Sequence, residues 1–245
     1  MAALLERADA QSAPKSATPI WAWLAPIFAL GAIGGALLDD AGQWVYYVCK
    51  PLATIFLFAF AWFARHPVSR RYRLAIAIGL VWSLAGDVLL MFPQYFIGGL
   101  VCFLIAHLAY IVAFTDDVRL GARPLIWGAF LVLGAGIVWI LWPGLPVGLR
   151  VPVAAYAIAL ATMAAQAITR QQVVGAGQGA QHAAATSARI AAVGAVLFLV
   201  SDALLSYGRF RQSLPCSPLL VLSTYYAAQW CIARSVNLRS QGASR

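Results

Sequence analysis

The sequence predicts an all-α, polytopic membrane protein with eight transmembrane helices. Of its 245 residues, 62% are hydrophobic and only 10% are charged, whereas a typical soluble domain is about 25% charged. A membrane-spanning helix needs about 20 consecutive apolar residues, so the chain has room for about eight crossings joined by short loops. The apolar runs are longer than the alternating segments of about ten residues that form a membrane β-barrel. A mean hydropathy of +0.81 also excludes a disordered chain.

Each predicted span is an apolar run bounded by residues that favour turns. In chain order the runs are Ile20–Leu38, Trp44–Ala64, Tyr72–Met91, Phe96–Phe114, Pro124–Trp142, Val151–Ile168, Ser187–Tyr207 and Pro218–Val236. Turn-forming residues separate them at Asp39-Asp40-Ala41-Gly42, His66-Pro67, Phe92-Pro93-Gln94, Trp142-Pro143-Gly144 and Leu214-Pro215. Asp39 and Asp40 are expected to cap the first loop. The segment Gln171–Thr186, which is rich in Gly, Gln and Ala, predicts a flexible loop.

The distribution of basic residues predicts the orientation of the chain. An even number of spans places both termini on one side, and only four of the 17 Lys and Arg residues lie on the other side: Lys50, Arg150, Arg209 and Arg211. Basic residues concentrate in cytoplasmic loops, so both termini are expected in the cytoplasm and the chain in the cell inner (plasma) membrane. The predicted divisions are a polar cytoplasmic segment at 1–19, an eight-span domain at 20–236 and a cytoplasmic tail at 237–245. The net charge of +9 is thus a topology signal, and no nucleic-acid partner is expected.

Ionisable side chains within the apolar runs are few, and each is a candidate for function because a charge inside the bilayer is costly. They are Lys50, Asp87, His107 and Asp202. At a rise of about 1.5 Å per residue, the two Asp residues and the Lys all lie roughly 7–9 Å below the non-cytoplasmic boundary. Two carboxylates and an ammonium group at one depth predict a single site. The alternative is that each Asp pairs separately and serves only packing.

The sequence predicts neither a metal site nor a cofactor. His107 lies near the midplane, roughly 16 Å from the start of its run, and a single His in an apolar helix is more often a hydrogen-bonded core residue than a ligand. A zinc site needs three or four ligands, and the other two His residues lie in or beside cytoplasmic loops. Ser83 shares a helix face with Asp87, but no Gly-x-Ser-x-Gly elbow supports a serine hydrolase.

A short internal similarity favours two parallel four-helix repeats. The segment Gly86–Leu90 resembles Ser201–Leu205 at an offset of 115 residues, from Asp87 to Asp202. The same offset relates two further pairs, Gly79 with Gly194 and Tyr110 with Tyr225. A chance match of Asp-x-Leu-Leu in so apolar a chain is the alternative.

Several of these segments also resemble a known family. The segment Ser83–Met91 is followed in the next run by His107 and Tyr110, and a second segment, Gly194–Leu205, contains Ser201-Asp202. With Lys50-Pro51-Leu52 and Tyr156, over roughly residues 20–236, they resemble the YhhN family of multi-span lysoplasmalogenases.

The resemblance implies an eight-span enzyme that hydrolyses the vinyl ether bond of lysoplasmalogens. The products would be a fatty aldehyde and glycerophospho-ethanolamine or -choline. It also implies that Asp87 and Asp202 are the catalytic pair, that the substrate is a lysophospholipid and that the chain works within the lipid bilayer. The expected substrate-binding residues are Lys50, Ser83, His107, Tyr110, Tyr156 and Ser201.

Vinyl ether hydrolysis starts with protonation of the β-carbon, which gives an oxocarbenium ion. A carboxyl group buried in a low-dielectric region favours its neutral form, and a second carboxylate nearby favours it further. We therefore expect one of Asp87 and Asp202 to be the acid and the other the ionised stabilising base, without assigning which. Lys50 would bind the lipid phosphate or hold one Asp ionised.

Two other classes of protein remain open from the residues alone. Buried carboxylates also serve as proton relays in transporters, and parallel repeats are a transporter feature. A non-catalytic membrane scaffold is the third possibility. The sequence does not predict an oligomeric state.

Overall fold

The computed structural model describes residues 20–176 and 182–238. These residues form eight α-helices, which confirms the predicted all-α class. They are α1 Trp21–Leu37, α2 Asp39–Trp62, α3 Arg70–Leu90, α4 Phe96–Phe114, α5 Pro124–Leu141, α6 Val147–Ala176, α7 His182–Phe210 and α8 Ser217–Arg234. Short 3-10 turns at Pro93–Tyr95 and Trp142–Gly144 lie before α4 and after α5. The predicted segment 1–19 and most of the predicted tail, 239–245, lie outside the described residues.

The helices are those of a multi-pass membrane protein. Six of them, α2 to α7, are long and apolar enough to cross a membrane, and α1 is a shorter apolar helix. Large apolar side chains face outward over much of the surface; for example, Leu125 is 89% exposed and Trp139 is 81% exposed. An outward surface of this kind is suited to lipid, because water would leave these side chains unfavourably hydrated.

Two predicted breaks are wrong in detail. The expected turn at residues 39–42 is the start of α2, and only Leu38 separates it from α1. A Cβ on Gly35 would lie 2.6 Å from the Tyr46 nitrogen, so the missing side chain allows α1 and α2 to pack this closely. The segment Gln171–Thr186, expected as a loop, is helical on both sides of residues 177–181, which lie outside the described part. Gln and Ala favour helices, and here that preference extends α6 and α7.

Neighbouring helices pair as antiparallel hairpins: α1 with α2, α3 with α4, α5 with α6, and α7 with α8. Between the two halves, α2 packs on α8 and α4 packs on α6. Under the 115-residue offset, α2 corresponds to α6 and α4 corresponds to α8. The contact between α2 and α8 is therefore the counterpart of the contact between α6 and α4. These two contacts agree with a parallel duplication. However, α1 also packs on α8, and a contact of similar extent between the corresponding helices α5 and α4 is absent from the described residues, so the duplication stays a prediction.

A buried polar cluster fixes the loop between α4 and α5. Arg170 on α6 is 0% exposed, and its Nε and Nη2 each donate to Asp117 at 2.8 Å. Its guanidinium group also lies 4.8 Å from the ring centre of Tyr72. Sequence reasoning treats Arg170 only as a topology charge, whereas the structure places it inside the helix bundle.

Candidate active site

Asp87 on α3 is a buried carboxylate with a full set of partners. Its Oδ1 lies 3.8 Å from Lys50 Nζ, and both side chains are almost fully buried. Its Oδ2 accepts hydrogen bonds from Thr54 Oγ1 and Tyr225 Oη, each at 2.7 Å. Lys50 and Thr54 are four residues apart on α2 and therefore lie on one helix face. An ammonium group and two hydroxyl donors therefore surround this carboxyl group.

Lys50 is directed inward rather than to the membrane surface. Lys50 is 5% exposed. Besides Asp87 it contacts Tyr46, because its Nζ donates a hydrogen bond to the Tyr46 hydroxyl at 3.1 Å. The Tyr46 ring centre lies 5.3 Å from the ammonium nitrogen. Of the two roles expected for Lys50, this geometry favours holding an Asp ionised over binding a lipid phosphate.

Asp202 on α7 has different partners. The Tyr156 hydroxyl on α6 donates to Asp202 Oδ2, and His107 Nε2 on α4 lies 4.0 Å from the same oxygen. His107 is fully buried, yet neither of its ring nitrogens has a hydrogen-bond partner among the described residues. Buried polar atoms without a partner are rare, so this imidazole is free to bind a water molecule or a substrate.

Asp202 also lines a small cavity between α5, α6 and α7. The cavity measures about 30 Å³, and its lining includes Tyr156 and Ser206. That volume accommodates about one water molecule. A carboxyl group and a hydroxyl group therefore meet where one small molecule fits, and the unpartnered His107 imidazole lies beside the carboxyl group but does not line the cavity.

An aromatic cluster separates the surroundings of the two carboxylates. The Phe198 ring lies 4.7 Å from His107 and 5.5 Å from Tyr225, measured between centroids. Tyr225 is the residue that donates to Asp87. No hydrogen bond or ion pair within residues 20–176 and 182–238 joins Asp87 to Asp202 directly. The structure thus brings Lys50 to Asp87, and brings His107 and Tyr156 to Asp202.

The two carboxylates nevertheless occupy corresponding places in the two halves. Asp87 on α3 is contacted from α2 and α8, and Asp202 on α7 is contacted from α6 and α4. Under the 115-residue offset, α2 corresponds to α6 and α8 corresponds to α4, so the helices that contact Asp87 are the counterparts of those that contact Asp202. The chemical groups differ, however, because an ammonium group faces Asp87 while an imidazole faces Asp202.

The model of the YhhN family matches residues 45–236. Lysoplasmalogenase TMEM86B of Sus scrofa is 34% identical over 88% of this chain and 86% of its own length. Lysoplasmalogenase TMEM86A of Bos taurus is 33% identical over 81% of each chain.

The chain belongs to the YhhN family. The uncharacterized membrane protein YhhN of Escherichia coli O157:H7 is a more distant relative, 28% identical over 80% of this chain and 88% of its own length. No solved structure matches the fold. The recognised resemblance is therefore confirmed, and it covers most of the described helices.

Asp87 with Lys50, Thr54 and Tyr225 forms the Asp87 cluster, and Asp202 with His107 and Tyr156 forms the Asp202 cluster. Three predicted binding residues of this YhhN family member lie beside the Asp87 cluster or outside both clusters. Tyr110 donates to Gln229 Oε1 at 2.8 Å and lies 3.4 Å from Ser83 Oγ. Gln229 in turn donates to Tyr225 Oη at 3.2 Å, which links Ser83 and Tyr110 to the Asp87 cluster. Ser201 donates to the carbonyl oxygen of Val221 at 3.0 Å and so ties α7 to α8.

Sequence reasoning missed Thr54 and Gln229 as members of the Asp87 cluster. Both are 0% exposed polar residues within apolar helices, and that position was the signal available in the sequence. Among the described residues, no group of three or more His, Cys, Asp or Glu side chains is arranged to hold a metal ion.

Proposed function

We propose that this chain is a lysoplasmalogenase, which hydrolyses the vinyl ether bond of a lysoplasmalogen. The products are a fatty aldehyde and glycerophospho-ethanolamine or -choline. The names of its TMEM86A and TMEM86B relatives support this reaction and do not favour the transporter alternative. The structural observation that carries the proposal is the cavity lined by Asp202 and its partner Tyr156, with the unpartnered His107 imidazole 4.0 Å from the same carboxyl oxygen.

Asp202 is the proton donor in this proposal, and Asp87 is the ionised member of the pair. Asp202 has no Lys or Arg partner within the described residues, and burial without a cation favours the neutral carboxyl group. Asp87 faces the Lys50 ammonium group, which favours the carboxylate. Its negative charge opposes the build-up of further negative charge nearby and favours a cationic transition state.

The hydrolysis proceeds in the following order. Asp202 gives its proton to the β-carbon of the vinyl ether, and the electrons of the double bond form the new C–H bond. The resulting oxocarbenium ion lies beside the newly formed Asp202 carboxylate, which stabilises it. Water held by His107 attacks the cationic carbon and returns a proton to Asp202. Asp202 then protonates the glycerol oxygen of the hemiacetal as the bond between carbon and that oxygen breaks. It recovers a proton from the hemiacetal hydroxyl group, which becomes the carbonyl group of the aldehyde, and the alcohol is released.

The proposal also includes the arrangement of the chain in the membrane. All eight helices cross the bilayer of the cell inner membrane, with α1 as a short span and α8 as a polar one, and both termini lie in the cytoplasm. The α5–α6 and α7–α8 connections then lie on the non-cytoplasmic side of the membrane. Asp202 is about five residues from the end of its predicted span, or about 7 Å in depth, which matches a scissile bond just below the lipid headgroups.

The test is aldehyde release from lysoplasmenyl-ethanolamine by purified protein in detergent. Asp202→Asn retains the size of the side chain and removes the acid, so we expect a loss of at least about 100-fold in kcat. Tyr156→Phe removes the hydrogen bond that stabilises the Asp202 carboxylate once the proton has left it, and we expect a loss of about tenfold. Asp40→Asn, at an exposed position at the start of α2, is the matched control and should retain full activity. A folded Asp202→Asn variant with wild-type turnover contradicts the assignment.

A further inference from the structure

A large apolar groove lies on the outside of the bundle between α5 and α6. Its volume is about 600 Å³, and its walls include Leu131 and Trp139 from α5 and Ile158 from α6. That volume falls within the range of about 300–1,000 Å³ typical of small-molecule sites. The groove exists because small residues, such as Ala135 and Ala154, stand where the two helices face each other.

The groove adjoins the Asp202 cavity. Gly134, Val138 and Ala157 line both spaces. The wide apolar groove and the small cavity that holds the carboxyl group therefore share a wall. A molecule lying in the groove would place one part of itself beside Asp202 without passing through the interior of the bundle.

A basic residue stands at one end of the groove. The Arg150 guanidinium group stacks on the ring of Trp142, 4.9 Å from its centroid, and Trp142 lines the groove. Arg150 Nε is buried without a hydrogen-bond partner in the part of the chain that the structure describes. Ala154 follows one helical turn later on α6, so the cation and the groove share a helix face.

We propose that this groove holds the hydrocarbon chain of the lysophospholipid substrate and that Arg150 binds its phosphate. This inference rests on the proposed function and adds the path and the headgroup contact. In a lysoplasmalogen the vinyl ether stands between the phosphate and the hydrocarbon chain. Arg150 at one end, the groove beyond and the Asp202 cavity beside it match that order of groups. Arg suits phosphate because its planar group donates two parallel hydrogen bonds.

The experiment measures both binding and turnover in lipid nanodiscs. The binding probe is a saturated 1-O-alkyl glycerophospho-ethanolamine, which has no vinyl ether and cannot be hydrolysed. Ala135→Trp fills the groove, and its control, Ala129→Trp, places the same side chain on an exposed part of α5 that does not line it. Arg150→Gln removes the phosphate partner, and its control is Arg209→Gln, since Arg209 likewise stacks on an aromatic ring, that of Phe96.

We expect each variant to weaken binding of the probe by about tenfold or more. Ala135→Trp does so by occupying the space of the hydrocarbon chain, and Arg150→Gln does so by removing a contact to a charged group. Both controls should bind like the wild type. In turnover, Arg150→Gln should raise KM and leave kcat nearly unchanged. Equal binding by all variants, or no binding by the wild type, overturns the proposal. A wild type that binds the probe and releases no aldehyde refutes the proposed reaction and leaves the groove assignment standing.

Discussion

The ion pair between Lys50 and Asp87 provides a direct test of what Lys50 does. Changing Lys50 to Met removes the ammonium group that lies 3.8 Å from Asp87 Oδ1, and it leaves a carboxylate whose side chain is only 2% exposed. The hydrogen bonds from Thr54 and Tyr225 remain, so the charge is the part left without compensation. Removal of one partner of a buried pair costs about 3–5 kcal/mol of folding free energy.

For a chain of this size, 1 kcal/mol corresponds to about 2–4 °C in Tm, so Lys50→Met should lower Tm by about 6–20 °C. The double variant Lys50→Met, Asp87→Asn leaves neither charge buried alone, and we expect it to recover most of the loss. The assay is thermal unfolding in one detergent, followed by tryptophan fluorescence. Arg65→Met, which removes an exposed cation, is the control and should unfold with the wild type.

Two results would refute this reasoning. A Lys50→Met protein that unfolds at the wild-type temperature shows that the pair does not stabilise the fold. A double variant less stable than either single variant shows that the two charges are not coupled. If Lys50 served only the phosphate of the substrate, its replacement would raise KM and leave Tm unchanged.

Two further predictions concern packing and the buried Arg. Gly86→Ala places a Cβ 2.6 Å from Phe103 Cε2 and should lower the free energy of unfolding by about 1–3 kcal/mol through overpacking. The control is Gly136→Ala, whose Cβ would have no atom within 4 Å, and it should be neutral or stabilising. Equal Tm values for the two variants would contradict the close helix contact at Gly86. Asp117→Asn leaves the fully buried Arg170 without its counter-charge. Because the Asp117 side chain is itself 32% exposed, we expect the free energy of unfolding to fall by about 1–3 kcal/mol, the cost of losing hydrogen bonds between charged groups. Denaturant titration in mixed micelles measures that loss, and an unchanged free energy of unfolding would contradict a stabilising pair.

The helices were predictable because each apolar run is 18 to 21 residues long, close to the length of about 20 residues that crosses a bilayer core. Asp87, Asp202, Lys50 and His107 were equally visible, since ionisable residues stand out in a chain with 10% charged residues. Their arrangement was less accessible. Depth along a helix follows from counting residues, but the face that a helix presents to its neighbours depends on packing. Counting residues therefore predicts that Lys50 lies near both carboxylates, whereas helix packing places it beside Asp87.

Thr54 and Gln229 illustrate the same limit. A Thr or Gln inside an apolar run has several roles, and the sequence does not state which carboxylate or hydroxyl lies opposite it. Arg170 shows the converse, because a basic residue near the end of a predicted span is normally a topology signal. Here the extension of α6 beyond Ile168 carries that side chain into the bundle, where Asp117 binds it.

The arrangement of α5 has a mechanical consequence. Among the helices α5 packs mainly on α6, and only two of its residues, Gly134 and Leu141, are buried. By contrast α6 is 30 residues long and is held at its far end by Arg170 and Asp117. The wall of the groove that α5 provides is therefore the less firmly attached one. Tyr156, which donates to Asp202, lies on α6, so the contact between these two groups does not depend on how tightly α5 is held.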